Sequence, residues 1–305
     1  MPDHPDPRDP VLDFQRVLAL ARRHLPSAHA VTGVDESGGE ARAYAIDDDF
    51  IFKTQRPHRV RPRTSLAKET LHLEQLPRCA PEVNVPRVLG YGNEHDVEYI
   101  LMTRMPGIAL RYVEVEGVAR SKLLRKLGSV LRRMHSLPLE PLLASGLFPG
   151  DSDCAAIRDR LENLLQRAVE AATAARENWT LVVSPEEVAG SVSEGARTVH
   201  EAPVAIHSNP GTEHVFVDPH TLGLSGVIDF GDAYISHPAL DMRRWHDARD
   251  RNALIGGYAA ECPLNATFDA NWRVISVANL MLDFAHRPRR RAEALEGLRS
   301  LLAGS

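Results

Sequence analysis

Several short stretches of the chain hold residues whose types and spacing could do chemistry together. Lys53 closes the run "FIFK", Glu69 sits in "SLAKETLHLEQL", His207, Asn209 and His214 share "HSNPGTEH", and Asp229 opens "DFGD". A lysine at a strand end can present a point charge to phosphate oxygens, and a carboxylate on the next helix can hold it there. A carboxylate and an imidazole are both ligands for a divalent ion. A loop carrying a polar side chain can orient an acceptor hydroxyl, so together these are the parts that phosphoryl transfer from a nucleotide requires. Each part alone is ordinary, since any hairpin can carry a Lys and any helix a Glu. Ser37, Gly38 and Gly39 add a small-residue turn where backbone N–H groups could approach phosphate oxygens, although a plain hairpin turn explains it equally well. No G-x-x-x-x-G-K-[ST] run exists, and "GYG" at Gly90 lacks the G-x-G-x-x-G spacing, which excludes a Walker loop and removes support for dinucleotide binding.

The elements that must position these residues fall into two kinds. "VLDFQRVLALARRHL", Val11 to Leu25, has helical spacing and stops before Pro26. "AYAI" and "FIFK", separated by Asp47-Asp48-Asp49, read as a hairpin, and a helix capped by Ser65 follows with Glu69 on it. "RVLGYG" and "EYILMTRM" read as strands, broken by Pro106-Gly107. Beyond that point "ARSKLLRKLGSVLRRMHSL", "AAIRDRLENLLQRAVEAATAAREN" and "DANWRVISVANLMLDFAHR" carry apolar stripes of helical period. The strand-like runs "HVFVD" and "GVIDF" stand among them as an isolated hairpin. "RPHRVRPR" (Arg56 to Arg63) and "RPRRRAEA" (Arg287 to Ala294) are the strongly biased patches and read first as solvated charge.

Composition sets the bounds. A chain of 305 residues with 43% hydrophobic and 25% charged content can bury a sizeable core and suits two lobes around a cleft. A net charge of -5 gives no electrostatic reason to bind nucleic acid. No apolar run is long enough to span a bilayer, and the Pro- and Asp-rich "MPDHPDPRDP" reads as a frayed tail rather than a signal peptide. The three cysteines, Cys79, Cys154 and Cys262, lack metal or disulfide spacing, so a cytoplasmic setting is expected.

In "IHSNPGTEHVFVDPHTLGLSGVIDFGDAYISHPALDMRRW" the chain resembles the aminoglycoside phosphotransferase and choline kinase-like family of small-molecule kinases. That family's pattern is H-x-D-x-x-x-x-N, a hairpin, an Asp in I-D-[FW]-x-D, then D-P-x-x-D, and the match extends to Lys53, Glu69, "YILMTRMPG" and "LGSVLRRMHSLP". The resemblance implies an α+β, two-lobed protein kinase-like fold. A small antiparallel β-sheet lobe with one helix would occupy residues 1–104, and a larger, mainly helical lobe residues 105–305. It implies ATP or GTP and Mg²⁺, with Mn²⁺ as an option, and a small-molecule acceptor: an aminoglycoside, macrolide, sugar or related metabolite. Lys53 would bind phosphates, Glu69 would orient Lys53, and Asp229 would be the principal metal ligand. Backbone groups of Met102, Thr103 and Arg104 would receive the base. Asp241 would support the catalytic loop. Neither nucleic acid nor membrane is expected as a partner, and monomer and dimer both stay open.

The pattern is broken where it bears most on catalysis. Asn209 stands at the family's catalytic Asp, and an amide can accept a hydroxyl's hydrogen bond but not its proton. His214 replaces the metal-binding Asn, as in the macrolide-kinase branch. It could ligate the ion or only hydrogen-bond within the loop. His237 takes the place of an Asp before Pro238, and Pro210 removes an N–H beside Asn209. Asp232 and Glu213 are the carboxylates nearest in sequence that could replace the base. Asp151, Asp153, Glu162 and Asp247 could attract a cationic acceptor or be plain solvated charges. Two readings follow: a small-molecule kinase with Asn209, His207 and Asp229 as its catalytic residues, or a pseudokinase that binds nucleotide or metabolite without phosphotransfer.

Overall fold

The computed structural model describes residues 11–56, 64–94 and 97–303. The first helix, α1 (Phe14–Ala21), is shorter than its apolar stripe because Asp13 caps its start, accepting from the N–H groups of Gln15 and Arg16, and the chain turns after Ala21. Five strands follow in an antiparallel sheet: β1 (Val31–Asp35), β2 (Ala41–Ile46), β3 (Phe50–Gln55), β4 (Val88–Glu94) and β5 (Val97–Thr103). Their spatial order is β1-β2-β3-β5-β4. The acidic turn between β2 and β3 is made by Asp47 at φ 48°, a conformation that Asp tolerates better than most residues. "RPHRVRPR" falls largely outside the described residues, as does "MPDHPDPRDP"; only Arg56 can be placed, donating to the main-chain oxygen of Glu36.

Strand pleat decides which way Lys53 points. Tyr44, Phe52, Tyr99 and Leu101 lie on the face covered by α1, where Val17, Leu18 and Ala21 bury against them. Lys53 and its register partner Ile100 therefore take the opposite face. That face is covered by α2 (Leu66–Cys79), whose Leu66, Leu73 and Leu76 pack with Ile100 and Met102. Ser65 caps α2 through its side-chain oxygen, which accepts from Lys68 N–H. Glu69 lies in the first turn, facing Lys53.

After β5, Gly107 at φ 86° turns the chain against Val217, where a Cβ would strike the carbonyl oxygen. The rest is mainly helical: α3 (Gly117–Met134), α4 (Glu140–Ala144), α5 (Cys154–Ala174), α6 (Pro185–Gly190), α7 (Ser193–Arg197), α8 (Ala248–Tyr258), α9 (Phe268–His286) and α10 (Arg291–Ala303). Gly128 and Gly257 let α3 and α8 cross with backbones in contact; a Cβ on either would meet a main-chain oxygen of the other helix. The hairpin expected at "HVFVD" and "GVIDF" forms as β8 (Val215–Val217) and β9 (Leu224–Val227), but it is not isolated. The two-residue β6 (Ile108–Ala109) adds to β8, and β7 (Val204–Ile206) pairs separately with β10 (Tyr234–Ser236). The "HSNPGTEH" loop joins β7 to β8, and Asp229 follows β9, so both ladders present their ends to one place. No helix among the described residues is long and apolar enough to cross a membrane.

Candidate active site

The structure brings Lys53, Glu69, His207, Asn209, His214 and Asp229 together, although the sequence spreads them over more than half the chain. Lys53 Nζ donates to Glu69 Oε2 at 2.7 Å and to Asp229 Oδ1 at 2.6 Å. Burial opposes the ammonium charge, but the two carboxylates outweigh it, and the lysine pKa is raised. Glu69 is fully buried, and desolvation raises its pKa against the pull of Lys53. Its second oxygen accepts from Phe230 N–H. Asp229 is 41% exposed, and its backbone sits at φ 72°, a strained conformation for a non-glycine residue. Desolvation works against its charge, but Lys53 and His214 prevail and hold its pKa well below the ordinary carboxylate range.

His214 sits between two oxygens. Its Nδ1 lies 2.8 Å from the main-chain oxygen of Asn209, which can only accept, so Nδ1 carries the proton. Its Nε2 lies 3.1 Å from Asp229 Oδ2. In the neutral ring that places a nitrogen lone pair against a carboxylate, and only a cation between them relieves the clash. A proton or a divalent metal ion would serve equally, so this donor pair fits an ion, with the carbonyl fixing the tautomer as partners of metal-bound histidines do. Among the described residues no group of three or more metal-ligating side chains forms. Asp229 and His214 could together supply two ligands, a number that suits a divalent ion otherwise held by phosphates and water.

His207 departs from its expected catalytic part. It is buried, its Nε2 donates to Ile228 O at 2.8 Å, and its Nδ1 accepts from Asn209 N–H at 3.2 Å. Both nitrogens are spent inside the protein, so this histidine positions the loop and does not itself line the cleft. Burial also lowers its pKa, which keeps the ring neutral. Asp241 is the loop's anchor, as expected: it accepts from the N–H groups of His207 and Ser208 and stands 2.9 Å from His135 Nε2. Ser208 is held at φ 83° by this clasp.

The remaining substitutions each have a physical partner that the sequence did not announce. Pro210 sits at the middle of a tight turn in which Gly211 N–H donates to Asn209 O at 2.8 Å, where a fixed proline φ suits the geometry. His237 caps the turn Pro238–Met242: its Nδ1 accepts from Ala239 N–H while its Nε2 meets the Glu201 carboxylate at 3.1 Å. Asn209 accepts at Oδ1 from Arg244 Nε, 2.9 Å away, and since arginine only donates, the amide orientation is settled. Ser208, Asn209, Asp232, Arg243, Arg244 and Arg287 line a cleft of about 140 Å³. Of the two carboxylates considered as replacement bases, Asp232 is in this cleft, with Oδ1 against the Thr64 hydroxyl, while Glu213 does not line it and is exposed.

The backbone amides expected to receive the base are engaged within the protein. Met102 is an interior residue of the sheet, paired with both Ile51 and Val88; Thr103 N–H donates to Arg87 O and Arg104 N–H to Asp49 O. The first amide after β5 left without such a bond among the described residues is that of Met105. Ser37 N–H bonds Asp35 Oδ1, and Gly38 is packed so that a Cβ would strike Ala41 O. Glu40, at the end of this turn, shares the Thr64 hydroxyl with Asp232 and so links the turn to the cleft.

Comparison with known proteins accords with this geometry. Residues 31–261, about three quarters of the chain, match the model of the phosphotransferase enzyme family. The structure of the GDP complex of wild-type aminoglycoside 2'-phosphotransferase-IIIa is 17% identical, with a TM-score of 0.67 over 96% of this chain and 99% of that one. Macrolide 2'-phosphotransferase MphH from Brachybacterium faecium, as apoenzyme, is 19% identical, with a TM-score of 0.62 over 94% and 97%. The streptomycin–ATP ternary complex of APH(2")-IIa is 14% identical, with a TM-score of 0.59 over 96% and 97%. No curated protein sequence matches the chain. At these identities the structures establish a shared fold, the kinase-like α+β architecture expected from sequence. The family match goes further: this chain belongs to the phosphotransferase enzyme family.

Proposed function

We propose that the protein moves the γ-phosphoryl group of ATP or GTP to a hydroxyl of a small molecule. The observation that carries this reading is the connected set Glu69–Lys53–Asp229–His214, with contacts of 2.7, 2.6 and 3.1 Å in turn. A protein that no longer bound a metal-bound nucleotide would have no need to keep a strained Asp229 between Lys53 and His214. The nucleotide complexes of the similar structures, with GDP in one and ATP in another, support a nucleotide in the same cleft. Lys53 would neutralise its phosphates, and Glu69 keeps the ammonium charged and aimed. The Met105 amide would bond the base in place of the three residues before it. Asp229 and His214 would hold Mg²⁺ or Mn²⁺, which when bound supplies charge neutralisation between the phosphates.

At the acceptor side Asn209 positions rather than deprotonates. Its amide oxygen gives one lone pair to Arg244 and has one left for the acceptor hydroxyl, while its NH₂ can donate. Since the transition state of phosphoryl transfer is loose, the hydroxyl proton leaves late, and positioning with electrostatics supplies most of the acceleration. Losing the base still costs on the order of 10²- to 10⁴-fold, so turnover is expected to be slow. One observation favours the pseudokinase alternative: Arg244 already occupies the side chain that should greet the acceptor. The deciding experiment is release of nucleoside diphosphate from ATP and GTP, with and without an acceptor panel, in wild type and Asp229→Ala. Phosphotransfer requires release that the variant loses; equal rates in the two proteins would refute it.

A further inference from the structure

The charges around the acceptor side of the cleft run opposite to what a polycationic acceptor needs. Of the acids that could have attracted one, Asp151 is tied to Arg160 at 2.7 Å and to the Ser236 hydroxyl. Asp153 and Asp247 are caps of α5 and α8, and Glu162 is exposed on α5; none lines the cleft. Three arginines, Arg243, Arg244 and Arg287, line it with Asn209, against two carboxylates, Asp232 and Asp283. Arg244 spends only its Nε–H, on the neutral amide of Asn209, and Arg243 bonds only the main-chain oxygen of Leu240. Neither enters an ion pair among the described residues, and both are half-buried. The carboxylates within the cleft are already engaged: Asp283 is shared by Arg287 and Arg290 at 3.3 and 3.2 Å, and Asp232 faces Thr64.

We propose, resting on the phosphotransfer reading above, that the acceptor is a small hydroxyl compound bearing a carboxylate or phosphate group, which Arg243 and Arg244 bind beside Asn209. Guanidinium groups without a carboxylate partner present forked N–H donors that match such oxyanions. Burial, with Arg243 and Arg287 close by, lowers the Arg244 pKa, and Asp283 and Glu213 offset this only in part, so an added anion is welcome there. A polycationic acceptor would meet like charge, which selects against it. The volume of about 140 Å³ also falls below the roughly 300–1,000 Å³ of pockets for drug-sized ligands and favours a small acceptor. In the reaction the acceptor oxygen bonds the γ-phosphorus as the bond from phosphorus to the β–γ bridging oxygen breaks. That oxygen keeps the electron pair in the departing nucleoside diphosphate, and the hydroxyl proton passes to water.

The test uses four hexopyranoses that share one ring: glucuronate, glucose 6-phosphate, glucose and glucosamine. Each is titrated calorimetrically into the protein, free and loaded with ATP, in wild type, Arg244→Gln and Arg243→Gln. At least one of the two anionic sugars should bind wild type, and lose about tenfold or more in affinity in each variant. Binding should weaken as salt rises, and which anion binds tells carboxylate from phosphate. Arg243→Gln keeps the test decisive if Arg244→Gln disturbs the loop, since the hydrogen bond to the Asn209 side chain comes from Arg244 and that of Arg243 goes to Leu240. The proposal is overturned if wild type and both variants behave alike toward every anion, including by not binding them, or if glucose or glucosamine binds as tightly. It is overturned too if the variants lose affinity only for ATP, since the arginines would then serve the nucleotide's own γ-phosphate. Absence of ATP binding in wild type counts against the phosphotransfer reading instead, because the anion titration of the free protein is read separately.

Discussion

Replacing Asp241 by Asn removes one charge and exchanges one acceptor oxygen for a donor, without changing the shape of the side chain. In the native protein Oδ2 accepts from His207 N–H at 2.8 Å and faces His135 Nε2 at 2.9 Å, and Oδ1 accepts from Ser208 N–H at 2.6 Å. All of these groups are buried. The amide can keep one side of the clasp; on the other its NH₂ meets a buried N–H, donor against donor. Losing a hydrogen bond to a charged acceptor costs about 1.5–3 kcal/mol, and an unsatisfied buried donor adds about 1–3 kcal/mol. The expected loss is therefore about 3–5 kcal/mol, a large share of the roughly 5–15 kcal/mol typical of a folded domain. If the amide turns to keep His207, Ser208 is freed from φ 83°, whose strain of about 1–3 kcal/mol the clasp sustains. Urea unfolding gives the stability change, and hydrogen exchange at the Ser208 amide reports the local release. A loss under about 1 kcal/mol with unchanged exchange at Ser208 would refute the idea that this carboxylate holds the loop.

Other expectations follow from the same geometry. Asn209→Asp restores the family residue, but Arg244 at 2.9 Å would hold the new carboxylate's pKa down by about 1–3 units, so kcat should rise by no more than about tenfold rather than by a full base's contribution; a thousandfold gain in steady-state turnover would show that Arg244 does not restrain it. His72 is buried among Phe148 and Phe230 with neither nitrogen bonded, and burial pushes its pKa down to about 3. The unfolded chain takes up a proton there below about pH 6.5 that the folded one refuses, so stability is complete above that pH and falls on acidification. His72→Phe should remove about 2 kcal/mol of the stability difference between pH 7.5 and pH 5 in urea unfolding, leaving the share of His207, and an unaltered pH dependence would contradict the assignment.

Residues whose partners lie in strong periodic elements were legible in the sequence. Lys53 and Glu69 could be paired because a hairpin and a capped helix of ordinary length carry them, and pleat and helical period then dictate that they face each other. Asp229 and His214 were legible through their spacing from His207. The rest depended on contacts between loops. Strands of two or three residues such as β6, β7 and β10 have no readable alternation, which is why the β8–β9 hairpin looked isolated. In α8, Gly256-Gly257 dilutes the apolar stripe, although Gly257 is what lets the helix approach α3. The Asn209–Arg244 and His237–Glu201 contacts join residues about 35 positions apart that share no motif. One signal was available: Arg243 and Arg244 come two and three residues after Asp241 in "DMRRW", and an element that anchors the loop must also place its next residues near it.

The central claim is that Lys53, Glu69, Asp229 and His214 form a working site for a metal-bound nucleotide. Its most direct measurement is calorimetric titration of ATP and GTP into the protein, with and without Mg²⁺ or Mn²⁺, alongside Lys53→Ala and His214→Ala. Binding of at least one nucleotide that needs the metal should appear in wild type. It should be lost in Lys53→Ala and weakened in His214→Ala only where metal is present. Binding that ignores both metal and Lys53, or no binding under any metal, would contradict the account.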